Sequence, residues 1–146
     1  MRERWRLRGV AIDPVVEKLA ASRAVRAHLA YPNTGVYIVR QDAHIVWASA
    51  SMEAVTGRSS AWLVGRNGWD VFVFKEDVPE LARFKATLAV ADAMLWMPTK
   101  MPDGSRAWFR IDCWVDEDHI LCAFKRELDP AMHTLHWVNR QRMLRR

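Results

Sequence analysis

The chain has 146 residues, 51% of them apolar and 27% charged, which fits one soluble globular domain and excludes a disordered segment. Its formal net charge of +5 lies at the ends: residues 1–30 carry seven Arg/Lys against three acids and residues 128–146 four against one, while the middle is slightly acidic. A duplex binder carries positive charge on the folded face that meets phosphate, so this distribution argues against nucleic acid as a partner.

Met1–Arg8 alternates charge without an apolar core segment, and no run approaches membrane-spanning length; the expectation is a cytoplasmic protein with no membrane contact. From Asp13 to Leu29 the pattern predicts a helix. Asp13 can cap it, Pro14 suits its first turn, and Val15, Leu19, Val25 and Leu29 form its apolar face. Tyr31-Pro-Asn-Thr-Gly35 ends it. Two short strands, 36–39 and 44–48, read as a hairpin, and residues 50–74 hold short helical pieces broken at Gly57, Gly65 and Gly68. A longer helix is expected over 76–91. Three strands, 93–100, 105–115 and 119–126, follow, with turns at Pro102-Asp-Gly104 and Asp116-Glu-Asp118. A basic helix or linker is expected over 129–146. Strands that pair mainly with sequence neighbours imply an α+β fold: a five-stranded antiparallel sheet with helices on one face and flanking N- and C-terminal helices.

Two cysteines, Cys113 and Cys122, make no disulfide framework and lie in apolar runs, where a free thiol is a small hydrophobe. If strands 105–115 and 119–126 pair about residue 117, Cys113 faces Leu121; a one-residue slip would bring the two thiols together.

Gly35-Val-Tyr-Ile-Val39, Ile45-Val-Trp-Ala-Ser-Ala50, Thr56-Gly57 with Leu63-Val-Gly-Arg-Asn67, Lys75-Glu-Asp77, and Asp103-Gly-Ser105 with Trp108 stand in an order and spacing that resemble the PAS family. The resemblance covers about Gly35 to Arg126, and Ser49 stands where many members have Asn. It implies a partition into an N-terminal extension (1–34), a PAS domain (35–127) and a C-terminal basic helix or linker (128–146). Val64-Gly-Arg-Asn-Gly-Trp-Asp-Val-Phe72 is most similar to the light-oxygen-voltage subgroup, whose members carry a flavin-adduct Cys after Gly-Arg-Asn. Here Gly68 holds that position, Trp69 replaces the Arg that would meet the flavin phosphate, and Arg126 replaces the Gln expected near the end of the last strand. Without the thiol no adduct forms. A haem role needs an axial ligand, and the 76–91 helix contains no His or Cys. The cofactor is therefore left unknown, with flavin adduct and haem both disfavoured.

The resemblance, with strand alternation, directs Tyr37, Val39, Val46, Ala48, Leu95, Met97, Thr99, Phe109, Ile111 and Cys113 toward the helices, facing Met52, Val55, Leu81, Phe84 and Leu88. These residues are the ligand-pocket candidates, with Thr99 and Tyr37 as polar handles. A filled core without a cavity is the alternative. The opposite face collects Val36, Ile38, Ile45, Trp47, Trp96, Trp108 and Trp114, with Leu121 and Ala123. Leaving four Trp open would expose roughly several hundred Å² of apolar surface, more than monomers tolerate. Cover by the N-terminal helix within a symmetric homodimer is the expectation.

His44 near Asp42 and His119 near Asp118 sit at turns and read as solvated loop residues. His133 and His136 lack carboxylate or Cys partners for a metal. With no phosphate-binding loop, nucleophile elbow or zinc motif, no catalytic residue is assigned. The expectation is a sensory or regulatory module, not an enzyme, that binds a small apolar ligand or relays a signal through dimerisation and its flanking helices to an attached or separate output domain. The alternatives are a ligand-free interaction domain of the same fold and a regulator that holds nucleic acid through its basic ends.

Overall fold

The computed structural model describes residues 13–87 and 92–129 and the positions 132, 135 and 138. Leu88 and most of the helix expected beyond Asp129 lie outside these residues.

The Asp13 carboxylate accepts from the Val15 amide at 2.8 Å and Pro14 opens the first helix. The single helix expected over 13–29 is two, α1 (Pro14–Ala20) and α2 (Arg23–Leu29). Ser22 separates them, because its hydroxyl accepts from the Val25 amide and caps the second. The break moves the buried stripe: Val16, Leu19 and Val25 are buried, whereas Val15 is exposed.

Five antiparallel strands, β1 (Thr34–Val39), β2 (Ile45–Ala48), β3 (Ala93–Lys100), β4 (Arg106–Asp116) and β5 (His119–Arg126), form one sheet in the order β2-β1-β5-β4-β3. Between β2 and β3 run α3 (Met52–Thr56), α4 (Ser60–Leu63), α5 (Gly68–Phe72), a 3-10 turn (Lys75–Asp77) and α6 (Val78–Thr87). One apolar cluster joins the inner sheet face to α3–α6, and a second joins the outer face of β1 and β5 to α1 and α2. The protein is thus α+β, with the expected five-stranded antiparallel sheet. Because both clusters meet on β5, Ile120 to Phe124 are buried without interruption.

Two register features depart from simple alternation. Ile38 opposes Trp47 but Val39 opposes Ile45, so β2 carries one extra residue, Val46. This bulge corrects two assignments: Ile45, expected outside, is fully buried in the inner cluster, and Val46, expected in the pocket, packs with Trp47 against the outer cluster. Between β4 and β5, Asp116 opposes His119, so the turn centres between Glu117 and Asp118 rather than on residue 117. Cys113 therefore opposes Cys122, and Leu121 opposes Trp114.

Glu117 and Asp118 both adopt positive φ, 50° and 62°. That is the pattern of a two-residue I′ hairpin, which Asn-Gly satisfies with little strain. Replacing Glu117 by Asn and Asp118 by Gly is expected to raise stability by about 0.5–1 kcal/mol, measured by urea unfolding; a loss of stability would contradict the turn geometry.

Candidate functional site

The segment after α4 positions one wall of the site. Gly65, at φ 94°, lets the chain turn back along the free edge of β2. There the Gly65 amide donates to the Ile45 carbonyl (2.9 Å), the Ile45 amide to Arg66 (2.8 Å) and the Gly68 amide to Ala43 (2.8 Å). Asn67 then caps α5, its side-chain oxygen accepting from the Trp69 and Asp70 amides at 2.9 and 3.3 Å, while its Nδ2 donates to the Asp42 carbonyl. The Gly-Arg-Asn motif is thus an edge-pairing and capping device that brings Trp69 and Phe72 over the sheet. At the other end of the segment, Ser49 fastens β2 to β1: its hydroxyl accepts from the Val36 amide (3.0 Å) and its amide donates to the Val36 carbonyl (2.8 Å).

Beneath this wall lies a cavity of about 50 Å³. Its floor comes from the inner faces of the five-stranded sheet, through Tyr37, Val39, Leu95, Met97, Ile111, Cys113, Ile120, Cys122 and Phe124. Its roof comes from Trp69, Phe72 and Val73 around α5 and from Leu81, Phe84 and Lys85 of α6, with Ala43 closing one side. Tyr37, Phe72, Phe109 and Phe124 form one aromatic cluster. The Tyr37 and Phe124 rings meet edge-on at 4.8 Å, and Phe72 lies 5.4 Å from Phe124. The roof is uneven. Phe72 and Val73 are buried, but no described residue of α6 is.

The structure brings together Tyr37, Val39, Leu81, Phe84, Leu95, Met97, Ile111 and Cys113 from the pocket set read off the sequence. Ala48, Met52, Val55 and Phe109 belong to the same apolar cluster but lie away from the cavity, in its filled part. Thr99 is a further correction: it is fully buried, does not line the cavity, and its hydroxyl has no hydrogen-bond partner among the described residues. Leu88 lies outside the described residues. Sequence reading missed Ile120, Cys122 and Phe124, although alternation from the outward Leu121 and Ala123 points to them. It also missed Trp69, whose orientation follows from the Asn67 cap.

On the outer face, Val36 and Ile38 are sealed by Val16, Leu19 and Val25, and Trp47 and Trp114 pack partly against the same cluster. The His28 ring stacks on Trp114 at 5.0 Å. Trp96 and Trp108 are half-buried. His44 engages Asp42 through its backbone amide, and His119 through its ring to the Glu117 carbonyl, so neither forms an acid–base pair. His133 and His136 lie outside the described residues. No helix among those described is long and apolar enough to cross a membrane.

Three polar side chains meet in the floor of the cavity, Tyr37, Cys113 and Cys122. Cys113 and Cys122 stand with their sulfurs 3.4 Å apart. A two-residue turn makes them a non-hydrogen-bonded pair, whose side chains approach most closely. The hydrogen bond with Cys113, together with burial, raises the Cys122 thiol well above its ordinary value. Burial likewise raises the Tyr37 phenol, helped by the neighbouring Cys122 and Cys113. Adding a Cβ at Gly68 would bring it within 3.0 Å of Tyr37 Oη. The Tyr37 hydroxyl therefore stands where a side chain at 68 would project. With no thiol at 68, the residues present cannot form a covalent flavin adduct.

No family model matches the chain, and no curated protein does. Solved structures do. A light-oxygen-voltage domain, from work with a flavin analogue, superposes with a TM-score of 0.68 at 18% identity, covering 86% of this chain and 99% of that one. The PAS domain of the Cronobacter turicensis quorum-sensing receptor RpfR in complex with BDSF gives 0.57 at 15% identity, over 66% and 95%. The Drosophila melanogaster Cycle PAS-B domain with bound ethylene glycol gives 0.57 at 11%, over 64% and 99%.

Two outcomes follow. Thr99→Val, which removes a buried hydroxyl without a partner, is expected to stabilise the protein by about 1 kcal/mol in urea unfolding; destabilisation would place a hydrogen-bond partner on that hydroxyl. Because Tyr37 and Cys122 keep their protons in the folded chain after an unfolded chain has begun to lose them, the folded state binds more protons above roughly pH 8.5. Their effect is nil below that pH and erodes stability progressively as pH rises. Urea unfolding at pH 7, 9 and 10.5 should show the fall, and Tyr37→Phe should make it shallower; identical slopes would contradict the assignment.

Proposed function

The chain has the PAS fold, and from that premise we propose that it is a regulatory sensor module that takes a small apolar ligand between sheet and helices. The observation that carries this reading is the cavity with its uneven roof. Room exists already, walled by apolar side chains, under a helix that buries no described residue. Its volume is about a third of an engineered cavity that accepts benzene at roughly 150 Å³, so a ligand of useful size enters with outward movement of α6. The 3-10 turn that leads into α6 carries an exposed ion pair, Glu76 with Arg106 at 2.6 Å, which adds little to the hold on the helix. Structural neighbours solved with BDSF and with ethylene glycol in place support a ligand role for this fold.

Residues 35–127 form the sensing unit in this reading, and α1 and α2 its cover, within a homodimer in the cytoplasm. Ligand binding shifts the population between two packings of α6 against the sheet, and the flanking segments pass that shift to an output domain. The chain performs no chemistry on the ligand. The alternative, a ligand-free interaction domain, is favoured by the filled inner cluster around Met52 and Phe109.

Native mass spectrometry of freshly purified protein, with a thermal-shift screen of small apolar compounds, separates the two. A ligand at about a hundred times its Kd should stabilise by roughly 2.7 kcal/mol and raise Tm by about 5–10 °C, and Leu95→Phe, which fills the cavity, should reduce that shift. No co-purified molecule and no shift would leave the interaction-domain reading standing.

A further inference from the structure

The cavity has one charged group in its wall, Lys85. Its ammonium lies 5.9 Å from the centre of the Trp69 ring, which lines the same cavity. Among the described residues no carboxylate pairs with it. Lys85 and Ile120 line both the cavity and a surface groove that also includes Gln41, Ala82, Val115 and Asp118. Half-buried Lys85 therefore stands at the boundary between an apolar interior and a surface groove.

Resting on the reading that this cavity takes a ligand, we propose that the ligand is a monocarboxylate with a small apolar tail, its tail among Leu95, Met97 and Phe124 and its carboxylate on Lys85. The lining makes the class specific. An apolar interior binds aliphatic or aromatic surface without direction, and a single point charge at the mouth sets the orientation and the sign of the head group. A charge-assisted contact to an ammonium at a poorly solvated rim is stronger than a neutral one. One cation matches one negative charge, and the nearby Asp118 carboxylate in the groove opposes a dianion. A cationic head group meets the Lys85 charge directly and is rejected.

The test compares heads on identical tails. Straight-chain carboxylates from butanoate to decanoate, the matching primary alcohols and the matching alkylamines are titrated by calorimetry against the intact protein at fixed salt and pH 7.5. The best carboxylate is expected to bind at least tenfold tighter than its alcohol, with the amine weakest. Lys85→Gln should bring the carboxylate-to-alcohol ratio to about one, and Lys85→Arg should retain most of it. Equal affinities of carboxylate and alcohol in the wild type, or a ratio that survives Lys85→Gln, would overturn the head-group assignment while leaving the cavity as a ligand site. If neither series binds at all, the sensor reading falls with it.

Discussion

The register of the β4–β5 hairpin is the constraint on which the rest of the molecule depends. β5 lies between β1 and β4 and carries side chains of both apolar clusters, so the position of one two-residue turn decides what each cluster contains. With Asp116 opposite His119, Ile120, Cys122 and Phe124 enter the inner core together with Ile111 and Cys113, while Leu121 and Ala123 meet the N-terminal helices. A slip by one residue would exchange the two sets and leave neither core complete. The positive φ of Glu117 and Asp118 is tolerated because burial along the length of β5 outweighs local backbone strain on the order of a kcal/mol or two.

The same register builds the candidate site. It sets the Cys113 and Cys122 sulfurs side by side, next to the Tyr37 phenol, and places the Phe124 ring between those of Tyr37, Phe72 and Phe109. The floor of the cavity is therefore rigid, made of interlocked rings on paired strands. Its roof is different in kind. Asn67 pins α5 through three hydrogen bonds, but α6 rests on half-buried Val78, Leu81 and Phe84. A stiff floor beneath a lightly held roof lets occupancy of the space alter the helix and not the sheet.

Much of this was legible in the chain. Short β-runs gave all five strands, Gly and Pro gave the breaks, and the resemblance, combined with alternation, put Leu95, Met97, Ile111 and Cys113 on one inward face. Failures came where one residue outside the repeat changes the count. The extra residue in β2 reversed Ile45 and Val46, and the hairpin centre moved the partner of Cys113 from Leu121 to Cys122. Neither leaves a mark in periodicity, because each depends on hydrogen bonding across strands. The break at Ser22 was written in a capping residue, but the apolar spacing on both sides reads through it. Which part of an apolar interior stays empty is a matter of volumes summed over many side chains, and Ala48, Met52 and Phe109 differ from Leu95 in that respect alone.

The central place of β5 has a bearing on biosynthesis. β1 leaves the ribosome well before β5, its partner along one whole edge, which is about ninety positions further on: Gly35 pairs with Phe124. Until that partner arrives, β1 has only the four-residue β2 beside it, and a two-stranded ribbon is marginally stable in water. Val36 and Ile38, fully sealed in the finished protein, then lie on an unpaired edge. Nascent chains of this protein thus pass through an adhesive interval that ends only when the last strand slots into the middle, and the demand for chaperones during translation should be concentrated there.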